Sequence, residues 1–206
     1  MTTAIRTFFN ERADAWDERY DAHGAAASER LICGLGIKPG SRVLDVGCGT
    51  GLIIPWLLEA VGGEGKVIAL DIAERMLRIA RDKYEAWNVE YINADVAHTP
   101  FLDFSFDEVV CHNCFPHVVD KEEAAREMFR ILKPGGRVTV CHNESREAIN
   151  ALHRRIGGEV GGDMLPDERG MRGIFEIADF NEISIVDKDG GYMMQARRPD
   201  NVKGGK

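Results

Sequence analysis

The residue types best suited to chemistry in this sequence form a cysteine and histidine cluster. The tripeptide Cys-His-Asn occurs twice, at 111–113 and 141–143; Cys114 and His117 follow the first copy, and His153 follows the second. An imidazole with an ordinary pKa of about 6.5 can take a proton from a hydroxyl, thiol or amine. Thiolates and imidazoles also bind zinc, although Cys-x2-Cys-x2-His matches no closed structural zinc pattern. A third interpretation is that the cysteines are small core residues and the histidines line a polar loop.

A glycine-rich segment predicts a second kind of chemistry, the binding of a nucleotide-like cofactor. The apolar run 43–46 indicates a buried parallel strand, three glycines follow on alternate positions from 47 to 51, and 52–58 suits a packed helix. Glycine lets the backbone approach a ligand closely, and the N–H groups that open a helix can donate to it. A dinucleotide fingerprint would need glycine at position 52, where the chain has Leu52, so a pyrophosphate loop is disfavoured.

Two carboxylates end the next two predicted strands. Asp71 ends the strand 66–71, 20 residues after Gly51, where a carboxylate can accept both hydroxyl protons of a ribose. It could instead cap a helix predicted over 73–87, and we favour the ribose. Asp95 lies at the end of the strand predicted over 89–96, where it can accept from an adenine amino group.

The segment 44–51, Leu-Asp-Val-Gly-Cys-Gly-Thr-Gly, resembles without a gap the first motif of the class I S-adenosylmethionine-dependent methyltransferases. Three further segments are similar to motifs of that family: Asn-Ala-Asp at 93–95, the Phe-Asp-x-Val strand at 106–109, and Arg-Ile-Leu-Lys-Pro-Gly-Gly at 130–136. The resemblance extends over about residues 8–198. It is to the small-molecule group that includes methyltransferase type 11 and the ubiquinone and menaquinone biosynthesis enzymes. It implies S-adenosylmethionine as cofactor and a small-molecule acceptor with an O, N, S or C nucleophile.

The resemblance also implies roles for individual residues, with Asp71 on the ribose and Asp95 on the adenine. The family usually has Asn or Asp near position 112 and His at 116 and 117; Pro116 departs from this pattern and leaves His117, a position that is often only structural. The predicted cofactor-binding residues are Asp45, Gly47, Cys48, Gly49, Gly51, Asp71, Ile72, Met76, Asp95, Val96 and Cys111. The predicted catalytic residues are His112, Asn113, His117, His142 and His153, and no metal ligand is predicted.

Two other function classes stay open at this point. A nucleotide-dependent oxidoreductase could use a similar sheet, but Leu52 opposes it. A non-catalytic cofactor, metal or redox sensor is supported only by the cysteine and histidine cluster. Within the methyltransferase hypothesis, a base at His112 or His142 is preferred to a metal, because thiolates at the methyl-transfer edge would themselves compete for the methyl group.

The elements that must position these residues alternate as strand and helix and close with two strands, 181–186 and 192–197. This order predicts an α/β, doubly wound, mostly parallel seven-stranded sheet with an antiparallel last strand at its edge, the Rossmann-like methyltransferase fold. The loops at the carboxyl ends of its strands should converge on one pocket. If the registers of the two Cys-His-Asn strands match, both cysteines face one side of the sheet and both histidines the other.

The chain of 206 residues is predicted to be one methyltransferase domain, 1–206, with a helical lid at 1–36 and a frayed tail at 199–206. Phe8, Phe9, Trp16 and Tyr20 give the first helix, predicted over 3–20, a broad apolar face. That face suits either a packing helix or a lid, and the aromatic segment is similar to one that small-molecule methyltransferases fold across the site.

Composition limits the partners. The net charge of −8, from 26 basic and 34 acidic residues, disfavours a nucleic-acid substrate and leaves a small molecule. No apolar run approaches the roughly 20 residues that span a bilayer, so we expect no membrane insertion. The charged N-terminus is unlike a signal peptide and predicts a cytoplasmic protein. Five cysteines, an odd number, argue against a disulfide framework.

Overall fold

The computed structural model describes residues 2–19 and 22–200, which form a three-layer α/β fold around a seven-stranded sheet. The strands are β1 (Arg42–Val46), β2 (Lys66–Asp71), β3 (Val89–Asn93), β4 (Phe106–His112), β5 (Leu132–His142), β6 (Asn181–Lys188) and β7 (Gly191–Arg197). The α-helices are α1 (Thr2–Arg12), α2 (Ala22–Cys33), α3 (Ile54–Val61), α4 (Glu74–Lys83), α5 (Lys121–Ile131), α6 (Arg146–Ile156) and α7 (Glu168–Ile177). Short 3-10 helices cover Ala13–Arg19, Phe115–His117 and Gly158–Val160.

The strand order is β3-β2-β1-β4-β5-β7-β6. Strands β1 to β5 pair in parallel, whereas β7 is antiparallel to both of its neighbours. The predicted fold class, with its antiparallel last strand, is therefore confirmed. β7 inserts between β5 and β6, which leaves β6 at the edge of the sheet.

Helices cover both faces of the sheet, as the alternation of strand and helix predicts. On one face, Ile32 of α2 and Leu57 of α3 pack on Val43. On the other, Met128 of α5 and Phe175 of α7 pack in the cluster that contains Leu44. Because successive side chains of a strand point to opposite faces, adjacent residues of β1 belong to different cores.

The helix predicted to follow β2 is shorter than expected. The helix predicted over 73–87 ends at Lys83, and the Tyr91 hydroxyl of β3 donates to the Tyr84 carbonyl at 2.7 Å. This bond holds the chain as it turns back toward β3, and Trp87 is left 79% exposed.

The registers of β4 and β5 are offset by one residue. Cys111 is level with Val140, and His112 is level with Cys141. Cys111 therefore packs in the core beneath α5 and α7, whereas Cys141 packs in the core beneath α2 and α3. The expectation that both cysteines share one face, which required matching registers, is wrong.

Among the described helices, none combines the length and the apolar character needed to cross a bilayer. Tyr20, one of the four aromatic residues predicted for the lid, and most of the tail predicted over 199–206 lie outside the described residues.

Candidate functional site

A cavity of about 960 Å³, including its open mouth, lies above the carboxyl ends of β1, β2 and β4. This is the point where the strand order reverses between β1 and β4, the usual ligand position in an open α/β sheet. The cavity is lined by the glycine loop, by the loops after β2, β3 and β4, and by the N-terminal helices. Its lining residues are Ile5, Phe9, Trp16, Asp45, Val46, Gly47, Cys48, Gly49, Thr50, Leu52, Ile53, Leu70, Asp71, Ile72, Met76, Ala94, Asp95, Val96, His112, Asn113, Cys114, His117, Val118 and Val119.

The glycine loop forms the floor of the cavity. The N–H groups of Gly47 and Cys48 donate to the Leu70 carbonyl at 2.8 and 3.0 Å, which holds the loop against the end of β2. Gly47 and Gly49 have φ angles of +67° and +55°, in the left-handed region that favours glycine. A Cβ atom on Gly47 would lie 2.2 Å from the sulfur of Cys114, so that loop and the loop after β4 are in direct contact.

Asp71 links the floor to the start of α4. One carboxylate oxygen accepts the Gly49 N–H at 2.8 Å, and the other accepts the Ala73 N–H at 2.8 Å. The side chain is 8% exposed, and Ala73, rather than Asp71, is the N-cap residue of α4. Burial raises the pKa of the Asp71 carboxyl to about 6, while the backbone N–H groups act in the opposite direction. Each oxygen keeps a lone pair that is available to a ligand hydroxyl.

Asp45, at the end of β1, is the second buried carboxyl of the cavity. It is 1% exposed, and its Oδ2 atom has no hydrogen-bond partner among the described residues. Burial, and secondarily the negative charge of Asp71, raises the pKa of Asp45 well above its ordinary value. A buried oxygen without a partner is a position where a ligand donor would be stabilising.

Most of the predicted cofactor-binding residues meet in this cavity, and two do not line it. Asp95 lines it and accepts the Ala97 N–H at 3.0 Å. Gly51 faces away from the cavity, because its Cβ position lies 2.9 Å from the Tyr84 ring. Cys111 is fully buried in the core beneath α5 and α7.

The N-terminal helices form one wall of the cavity through Ile5, Phe9 and Trp16. Asp17 of the first 3-10 helix accepts from the Thr50 hydroxyl of the glycine loop at 2.5 Å and forms an ion pair with Lys83 of α4. These contacts fix the segment directly above the glycine loop.

The three catalytic candidates on the Cys-His-Asn strands are placed differently. His112 lines the cavity, with Nε2 3.3 Å from Oδ1 of Asn143, whose amide nitrogen donates to the Ser28 hydroxyl at 2.9 Å. His142 does not line the cavity; it packs against the Tyr192 ring, and its Nε2 has no partner among the described residues. Asn113 lines the cavity with a φ of +53°, and its side chain accepts the Asn143 N–H at 3.2 Å.

Burial changes what His112 and His142 can do. It lowers the pKa of His112 to about 4 and that of His142 well below its ordinary value. Both rings are therefore uncharged at neutral pH, and neither should produce a change in activity near pH 6.5.

His117 and His153 lie side by side with their ring centroids 4.8 Å apart. His117 lines the cavity, and its Nδ1 is 2.8 Å from Oδ2 of Asp163. His153 stands behind it, outside the lining, with Nδ1 2.5 Å from the Asp163 carbonyl. Among the described residues, no three His, Cys, Asp or Glu side chains form a group that could hold a metal ion.

Several site residues were missed by the sequence analysis. Val118 and Val119 form part of the cavity wall, and their apolar pair directly after His117 is a local signal that could have located them. Asp163 gave no such signal, because it lies 46 residues from the histidine that it contacts.

Residues 43–136 match the model of a methyltransferase domain. The ubiquinone/menaquinone biosynthesis C-methyltransferase UbiE of Vibrio vulnificus is 34% identical over 77% of this chain and 71% of that protein, and UbiE of Vibrio cholerae is 33% identical over the same shares. Two solved structures share the fold. A SAM-dependent methyltransferase of Aquifex aeolicus has a TM-score of 0.68 at 24% identity, covering 96% of this chain and 98% of its own. A SAM-dependent methyltransferase of Thermotoga maritima has a TM-score of 0.73 at 20% identity, covering 96% and 100%.

Proposed function

We propose that this chain, which belongs to the S-adenosylmethionine-dependent methyltransferase family, methylates a small, largely apolar acceptor held between its cofactor and its N-terminal helices. As a member of that family, the chain is an enzyme that transfers a methyl group from S-adenosylmethionine to a small-molecule acceptor. The observation that carries the finer proposal is the meeting of the glycine loop, two buried carboxyls and an apolar aromatic wall in one cavity.

The chemical groups of the cavity fit S-adenosylmethionine. The unpaired Oδ2 of Asp45 would accept from the ammonium group of the methionine part. Asp71 would accept from the ribose hydroxyls and Asp95 from the adenine amino group. Ile72 and Met76 supply apolar surface beside these carboxylates, where a flat base would pack.

The cofactor, when bound, supplies a methyl group that is activated for transfer by a sulfonium sulfur. The residues of this chain hold the acceptor close to and in line with that group and keep water out. Positioning of this kind can supply about 7–11 kcal/mol of the barrier reduction. The aromatic faces of Phe9 and Trp16 also suit a site that holds a positive charge.

The wall facing the glycine loop favours an apolar acceptor with a ring. It contains Ile5, Phe9, Val118 and Val119, with His117 as a polar group among them. The relatives from Vibrio are named as C-methyltransferases of ubiquinone and menaquinone biosynthesis. We therefore place a hydroxylated aromatic ring, methylated on carbon, first among acceptors with O, N, S or C nucleophiles.

In this proposal the N-terminal segment is a lid over the cavity, and the contacts of Asp17 hold the lid closed. Replacing Asp17 with alanine removes the part-buried hydrogen bond from Thr50 and the exposed ion pair with Lys83, which together are worth about 1 kcal/mol. We expect cofactor release to be about fivefold faster, as measured by stopped-flow fluorescence of Trp16. Glu18→Ala, which removes a neighbouring exposed carboxylate from the same 3-10 helix, is the matched control. Equal release rates for the two variants would contradict a role of Asp17 in holding the lid closed.

Two measurements test the function. Calorimetry should find one site for S-adenosylmethionine and for S-adenosylhomocysteine, and no comparable binding of NADH. Labelled methyl transfer should then be followed by mass spectrometry across hydroquinones, phenols, amines and thiols of similar size. We expect hydroquinones and phenols to be methylated fastest. Tight NADH binding without S-adenosylmethionine binding would overturn the proposal.

The proposed location is the cytoplasm. All five cysteines, at positions 33, 48, 111, 114 and 141, are free thiols. Free thiols are the usual state in a reducing compartment, which supports this location.

A further inference from the structure

We propose that Asp163 positions His117 as the general base that takes the acceptor's proton, so that the two residues act as a dyad. The proposal rests on the methyl transfer proposed above and adds to it the proton acceptor and the residue that orients it. Asp163 belongs to the loop between the 3-10 helix Gly158–Val160 and α7, an element that none of the sequence motifs includes.

His117 is held rigidly at the cavity wall. Its backbone N–H donates to the Cys114 carbonyl at 2.9 Å, in the 3-10 helix Phe115–His117. The Lys121 ammonium donates to the carbonyls of Pro116 and Val118, at 2.9 and 2.8 Å, so the backbone on both sides of His117 is fixed. The edge-to-face contact with Phe9, at 5.0 Å between centroids, fixes the ring itself.

The contact with Asp163 determines which ring nitrogen carries the proton. An ionised carboxylate can only accept, so the 2.8 Å contact between Nδ1 and Oδ2 requires Nδ1 to be the donor. The neutral ring then has its lone pair on Nε2, as a base at this position needs. The two side chains are 16% and 21% exposed, which shields the contact from bulk water.

Asp163 is itself held by two other elements. Its N–H donates to the Val160 carbonyl at 3.0 Å, and its own carbonyl accepts from Nδ1 of His153. Val160 is buried against Ile5 and Phe8 of α1. The segment that carries the orienting carboxylate is therefore packed against the N-terminal helix that lines the cavity. His153 acts in this arrangement as a positioning residue and not as a group that touches substrate.

With a hydroxylated ring as the acceptor, His117 takes the proton of the hydroxyl group. The O–H bond breaks and its proton moves to Nε2 of His117. The negative charge left behind is delocalised from the oxygen onto a ring carbon, and this carbon forms the new bond to the methyl group. The electron pair of the broken carbon–sulfur bond stays on sulfur, giving a neutral thioether. The proton on the methylated ring carbon then moves to the oxygen and restores the aromatic ring. The imidazolium, stabilised by Asp163, releases its proton to solvent.

Other charged and titratable groups also face the dyad. They are Asp71 from β2, Lys121 from α5, His142 from β5 and His153 from α6. Among the described residues, Asp163 is the one in hydrogen-bonding contact with the imidazole.

The decisive experiment is nitrogen NMR of histidine-labelled protein without cofactor, with the His117 signals assigned by their loss in His117→Gln. Six histidines make this assignment practical. We expect His117 to be the Nδ1–H tautomer in the parent, and a mixture of tautomers in Asp163→Asn. Glu159→Gln removes an equal charge from an exposed neighbour in the same segment and should leave the spectrum unchanged.

Steady-state kinetics supply the second readout. His117→Gln should lower kcat by about 100-fold or more, and Asp163→Asn by about tenfold or more, with KM within about twofold of the parent. Asp163→Glu, which keeps the carboxylate, should recover part of the loss. A His117 protonated on Nε2 in the parent would overturn the dyad, as would an Asp163→Asn kcat equal to that of Glu159→Gln. Failure of the parent to bind S-adenosylmethionine would instead overturn the proposed function, and the tautomer measurement would still decide the dyad.

Discussion

Replacing Asp71 with alanine should weaken the binding of S-adenosylmethionine by roughly tenfold or more, because a hydrogen bond to a charged group is worth about 1.5–3 kcal/mol. The substitution also releases the Gly49 N–H, which donates to this carboxylate at 2.8 Å and fixes the cavity floor. Calorimetry of the two proteins at pH 7.5 measures the difference directly. An affinity equal to that of the parent would exclude Asp71 from the cofactor site.

The matched control is Asp82→Ala, which removes an exposed carboxylate from α4, the helix that follows Asp71. It makes the same change in net charge without touching the cavity, so its affinity should equal that of the parent. If both variants lost affinity equally, the cause would be the net charge of the protein and not a contact with the ligand.

The pH dependence gives an independent test of the same carboxyl. Its pKa is raised from an ordinary value of 3.8 to about 6, so Asp71 is protonated in the cofactor-free protein below about pH 6. Affinity for S-adenosylmethionine should therefore fall as the pH falls through 6, and Asp71→Asn should lack this dependence.

The same carboxyl should affect folding stability in the opposite direction, because its contribution to stability grows as the pH falls. A carboxyl whose pKa is higher in the folded state contributes stability below its unfolded pKa, and this contribution is lost as pH rises through the folded pKa. The free energy of unfolding of the cofactor-free parent, minus that of Asp71→Asn, should therefore be larger at pH 4.5 than at pH 7.5. The two differences should be at most about 3 kcal/mol apart. Thermal unfolding at the two pH values measures this difference.

Local pattern was sufficient to predict the sheet. The strand predicted over 66–71 coincides with β2, and the Phe-Asp-x-Val strand predicted at 106–109 lies within β4. These strands are buried on both faces, so their composition alone distinguishes them from helices and loops. The fold class and the family were predicted correctly for this reason, together with the unbroken motif at 44–51.

The site was predicted where its residues follow strands and missed where they come from elsewhere. Asp45, Asp71 and Asp95 lie at strand ends, and the carboxyl ends of parallel strands must meet. The one-residue offset between β4 and β5, by contrast, depends on pairing geometry that no local pattern encodes. The position of Asp163 depends on how the loop before α7 packs on α1 and α6, a long-range contact of the same kind.

Gly47 and Gly49 of the cavity floor have different surroundings, so a side chain should have a different effect at each position. Gly47→Ala should unfold the loop locally and abolish cofactor binding, because its Cβ would lie 2.2 Å from the sulfur of Cys114 and 2.7 Å from its Cβ. A positive φ adds about 1–2 kcal/mol for a residue with a side chain, and overpacking typically adds about 1–3 kcal/mol. Thermal unfolding should show the loss of stability, and calorimetry the loss of binding.

Gly49→Ala is the matched comparison, because it has nearly the same backbone conformation without the clash. Among the described residues, the nearest atom to its Cβ position is Nε1 of Trp16 at 3.9 Å, so the added methyl group would project into the cavity. We expect this variant to retain more stability than Gly47→Ala and still to lose cofactor affinity, because the methyl group occupies space that the ligand needs. Adding Cys114→Gly should restore stability to Gly47→Ala by removing the clashing atoms, and should do nothing for Gly49→Ala. A Gly49→Ala protein that binds S-adenosylmethionine as tightly as the parent would mean that the ligand does not rest on this part of the loop.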